Sequence, residues 1–230
     1  MSDTLYLSLW YPNLRLEALP DKLTAVLGAF AAHGGEPGVY SATVWPINWT
    51  ETPIFQHVWG RGGTTKGQGQ QPQLAVEEAM DLLHDDYAYE FQIGWSLWEL
   101  ETGPVEAVPS TPPSLHAGSA QDDCSNGRWK REPRLVRVVG FGPLFEEGTY
   151  EADGHIRIDF GSDTPFLEED LELDSVAARH VEENVRQLVE LTAAVEKASG
   201  ATARILWSEL GESLAERLAA RLSTLVGGAN

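Results

Sequence analysis

Cysteine is all but absent from this chain of 230 residues: Cys124 is the only one, so no disulfide can close within it. That excludes the small disulfide-stapled scaffolds and fits a reducing compartment. Basic residues are scarce too. Lys and Arg number 16 against 35 Asp and Glu, a formal net charge of −19. A field of that sign repels nucleic-acid phosphate and anionic lipid, and it draws basic proteins, cations and cationic ligands. No stretch approaches the roughly 20 apolar residues that span a bilayer. The opening MSDTLYLSLWYPNLRLE places an acid first and has no basic n-region. We therefore expect no signal peptide and a soluble, cytoplasmic protein with neither nucleic acid nor membrane as partner.

Catalytic signatures are missing as well. GRGGTTKGQG (60–69) sits where a phosphate loop would, but such a loop needs its Lys followed by Ser or Thr, and Lys66 is followed by Gly67. Arg61 and Lys66 remain candidates for holding a small anion. DFG (159–161) has no accompanying kinase catalytic loop, and GWSLW (94–98) ends in Trp98 where a nucleophile elbow needs Gly. The six His neither pair at i, i+4 nor join Cys, so no metal or cofactor is expected. Asp122 and Asp123 beside Cys124 raise a thiol pKa, which opposes a nucleophilic role.

What the chain does have is rings and alternation. VWPINWTETPIFQHVWGRGG (44–63) holds three Trp, a Phe and a His. LYLSLWY (5–11) alternates with Leu5, Leu7 and Leu9 on one side, the period of a strand. Leu23, Val26, Leu27 and Phe30 fall at helical spacing before Gly34. VYSATVW and IFQHVW predict an antiparallel pair, and QLAVEEAMDLLH predicts a second helix. YAYEFQIGWSLWEL then alternates through Tyr87, Tyr89, Phe91, Ile93, Trp95 and Leu97. The order β-α-β-β-α-β is that of a ferredoxin-like half, residues 1–100. Residues 101–132 are rich in Pro, Gly and Ser and have no period, as a connector would. From 133 to 230 the pattern predicts ββαβα, with Leu135, Val139, Ile156 and Ile158 as core and a final Leu-striped helix after Ser208. The expected class is α+β, two antiparallel-sheet-plus-helix halves joined by the connector.

Two functional readings follow. The favoured one is a non-catalytic acidic protein that binds a basic protein, such as an inhibitor or immunity-type partner. Its docking face would be the acidic run LEEDLELD, with Glu168, Glu169, Asp170, Glu172 and Asp174. The alternative is an enzyme or small-ligand binder. Its pocket would lie between the halves, lined by Trp45, Trp49, His57, Trp95 and Trp98. Burial of the rings between the halves is the simpler expectation, because Trp and Tyr mostly fill interiors and interfaces.

Overall fold

A computed structural model describes residues 3–34, 38–60, 69–101, 129–167, 174–209 and 216–217. Seven strands lie in a single antiparallel sheet: β1 (Thr4–Trp10), β2 (Val39–Pro46), β3 (Phe55–Val58), β4 (Tyr87–Leu100), β5 (Trp129–Phe141), β6 (Ile156–Ser162) and β7 (Ala203–Ser208). Their spatial order is β3-β2-β4-β5-β6-β1-β7. The helices are α1 (Leu19–His33), α2 (Pro72–Ala79), α3 (Thr149–Ala152), α4 (Thr164–Leu167) and α5 (Ser175–Ser199). None of these is long and apolar enough to cross a membrane.

The alternation decides which face of the sheet takes the helices. Leu5, Leu7 and Leu9 of β1 are buried with Tyr89, Phe91, Ile93, Trp95 and Leu97 of β4 in one core. The helices fill the other side of that core. α1 contributes Leu23, Val26, Leu27 and Phe30, and α5 contributes Val185, Leu188, Leu191 and Val195. Pro20 occupies the first turn of α1, where a missing N–H goes unnoticed. Gly34 ends that helix under β4: a Cβ there would meet the Phe30 carbonyl at 2.8 Å and the Gly94 carbonyl at 3.1 Å. α5 spans 25 residues, about 37 Å. Asp174 caps it, its Oδ1 accepting from the Val176 and Ala177 N–H groups at 2.9 and 2.8 Å. Gly200, at φ 70°, provides the left-handed residue that stops it.

The element order expected for residues 1–100 is present, but the ferredoxin-like pairing is not. That arrangement keeps β1 among its own half's strands. Here β1 pairs with β6 and β7 instead. The free edge of β4 is taken by β5 along thirteen consecutive partners, Ala88↔Phe141 to Leu100↔Trp129. A strand of matching length thus displaces the shorter β1, and the two expected halves share one sheet. Two smaller corrections concern β5. It begins at Trp129, inside the expected connector, because WKRE shows no apolar alternation to betray a strand. Val136 and Val138 face the helices, whereas Leu135 is exposed and Val139 is buried on the opposite face. Apolar side chains on both faces of β5 hide its phase from a pattern reading. The final Leu-striped helix expected after Ser208 lies outside the described residues, apart from Glu216 and Arg217.

Candidate functional site

The five residues expected to line one pocket occupy four separate places. Trp45 and Trp49 are together, ring centroids 5.7 Å apart, on the sheet face opposite the helices. Trp49 also meets Phe145 at 5.0 Å and Phe141 at 6.1 Å, rings supplied by residues beyond the connector. His57 is on β3, the edge strand, stacked on Trp59 at 4.7 Å and paired with Glu78 of α2. Trp95 is sealed beneath the helices among Phe30, Phe160 and Phe166. Trp98 lies at the far end of β4, its ring 4.0 Å from His180 and its Nε1 donating to Glu183 at 3.0 Å. Arg61, Lys66, Glu168, Glu169, Asp170 and Glu172 lie outside the described residues. Asp174 spends its carboxylate on the α5 N-terminus.

Sequence reasoning missed a polar network on the same face as Trp45. Arg137 of β5 stands directly opposite Asp159 of β6, and its Nη2 donates to Asp159 Oδ2 at 2.7 Å. Glu90 of β4 lies 4.0 Å from the Arg137 guanidinium and accepts from the Trp45 indole N–H at 3.2 Å. Glu90 is almost fully buried. Burial raises its carboxyl pKa, the Arg137 charge and the Trp45 hydrogen bond lower it, and the Asp159 charge raises it again, for a net increase. Tyr6 stacks on Trp207 at 4.6 Å and donates to Glu209 at 2.7 Å. Desolvation first, then that acceptor, pushes its hydroxyl to about 12. This set can hold a proton and orient side chains. Among the described residues no group of His, Cys, Asp and Glu is arranged to hold a metal ion.

Acidic surface collects at two further places. Between α1 and α2 runs an open groove of about 630 Å³, with Val76, Met80 and Pro20 as its apolar part. Asp21, Glu77 and Asp81 line it, all exposed, and none has a cationic partner among the described residues. The second place is the end of the sheet where β2 and β5 finish and β4 begins. Three loops are stitched there by backbone hydrogen bonds. The Ile47 N–H donates to the Asp86 carbonyl at 2.7 Å, the Leu144 N–H to the Asp85 carbonyl at 2.8 Å, and the Glu146 N–H to the Ile47 carbonyl at 2.8 Å. Gly142 lets two of these loops touch, since a Cβ there would sit 2.3 Å from the Asp85 carbonyl oxygen. The stitching holds Ile47 at φ 60°. A β-branched residue in that left-handed region costs about 1–3 kcal/mol.

Comparison with models of protein families, with curated proteins and with solved structures finds no match for this chain.

Proposed function

We propose that the chain is a non-catalytic acidic protein that acts in the cytoplasm by binding a basic protein, in the manner of an inhibitor or immunity-type partner. The observation that carries this reading is the groove between α1 and α2, where Asp21, Glu77 and Asp81 stand exposed with no cationic partner among the described residues. A Lys or Arg arriving there displaces no cation of the described residues; Glu77 accepts a neutral hydrogen bond from the Gln73 amide at 2.9 Å. Its alkyl stem finds Val76 and Met80. The net charge of −19 adds a long-range field that speeds encounter with a basic surface.

The test is binding to a panel of small basic and acidic proteins at low and high salt. The wild type is compared with an Asp21→Asn, Glu77→Gln, Asp81→Asn triple variant. Salt-sensitive binding to basic members, with an association rate about tenfold lower in the triple variant, is the expected result. Equal binding of basic and acidic members, or binding that ignores salt, would remove the proposal. A second reading, an enzyme or small-ligand binder, draws on Trp45 and Trp49 beside the buried Glu90 carboxyl. Stoichiometric copurification of a metabolite that alters tryptophan emission would favour it.

A further inference from the structure

We infer that the three stitched loops form the apolar centre of the docking face, and that its occupant is a protein surface with an apolar spot ringed by Lys and Arg. This inference rests on the proposed binding of a basic partner and adds an apolar contact beyond the acidic groove, whose Asp81 is followed in the chain by Leu82 of these loops. Two aliphatic side chains stand on loops joined through Ile47 and Glu146: Ile47 is 52 % exposed and Leu144 is 68 % exposed. Leu82, in the loop that ends at Asp86, is 73 % exposed. Single exposed aliphatics are ordinary, but these arise on three loops tied backbone to backbone, one of them in a conformation that glycine would hold with less strain. The chain keeps isoleucine there, which a merely structural turn does not require.

Charge selects the occupant. Residues 46–54, 81–87 and 142–153 contain neither Lys nor Arg. The same three loops carry Glu51, Asp85, Glu146 and Glu147, all exposed. Asp86 pairs with His84 at 2.5 Å, and among the described residues no Lys or Arg pairs with it. An apolar centre with a charged rim is the anatomy of a protein interface. A second copy of this chain would bring the same acids against themselves, which disfavours self-association.

Three helical peptides probe the face: a Lys/Leu peptide with one apolar stripe, a Lys/Ser peptide of equal charge, and a Glu/Leu peptide. Each is titrated against the wild type, Leu144→Ser and Ile47→Gly, with backbone amide shifts recorded throughout. The expected result is that Lys/Leu binds about tenfold more tightly than Lys/Ser, moves amides of the three loops, and loses that advantage in both variants. Ile47→Gly relaxes the backbone, so its folding is not at risk, and its thermal midpoint should hold or rise while binding falls. If Lys/Ser binds as tightly as Lys/Leu and the variants change nothing, this inference fails while the electrostatic reading stands. If neither basic peptide binds, or Glu/Leu binds equally well, the reading itself fails and takes the inference with it. Sedimentation that shows a dimer abolished by Leu144→Ser would assign the face to a second copy and overturn the proposal.

Discussion

A carboxyl group at position 90 is shielded from water by the sheet and held by the Trp45 indole. Its pKa is higher folded than unfolded, chiefly through desolvation. The folded state therefore holds the proton more tightly. Its stabilising contribution is complete below the ordinary carboxylate range and is lost as pH rises through the raised value. Glu90→Gln keeps an acceptor for Trp45 and removes the charge. We expect the variant to exceed the wild type in urea-unfolding midpoint at pH 7, with the difference vanishing at pH 4. An equal advantage at both values would show that the Glu90 charge does not set this dependence. The Arg137–Asp159 pair beside it is invisible to the sequence for a physical reason. Its partners are 22 residues apart and meet only because of the register between β5 and β6. Ile47 is hidden in the same way, because its left-handed backbone is imposed by two other loops.

Elements whose large apolar residues recur on the helix-facing side are the legible ones. Leu5-Leu7-Leu9 and Tyr89-Phe91-Ile93-Trp95-Leu97 announce their strands because each keeps a single face against the helices. Val181, Val185, Leu188 and Val195 announce α5 for the same reason, and all four are buried. Pairing is not legible at this level, since the alternation of β1 is equally satisfied beside β4 or beside β6. What joins the elements is often a single polar side chain. Asn184 of α5 is wholly buried. Its Oδ1 accepts from the Trp98 N–H at 2.9 Å, and its Nδ2 donates to the carbonyls of Trp98 and Pro165 at 2.8 and 2.9 Å. One amide thus clasps α5, α4 and the end of β4. Asn184→Ala leaves three backbone groups, one in a buried and two in part-buried hydrogen bonds, without that partner and should cost about 2–4 kcal/mol. Urea unfolding measures it, and a loss under about 1 kcal/mol would mean the neighbours re-pair.

At the scale of the whole molecule, 35 acids against 16 bases make the folded chain repel itself. Raising NaCl from about 0.01 M to about 1 M shortens the screening length from about 30 Å to about 3 Å. The thermal midpoint should rise by about 2–4 °C, equivalent to about 1 kcal/mol for a chain of this size. A fall would show that the ion pairs Arg137–Asp159 and Arg204–Glu196 matter more than the repulsion. The placement of β1 between β6 and β7 has a consequence of another kind. A ribosome delivers residues 4–10 long before residues 156–162 and 203–208 exist. Leu5, Leu7 and Leu9 must wait without their neighbours while the rest of the chain is made. Of the seven described strands, the first to be made is then among the last to pair, and a nascent chain arrested before residue 156 displays that sticky segment to chaperones and to other growing chains.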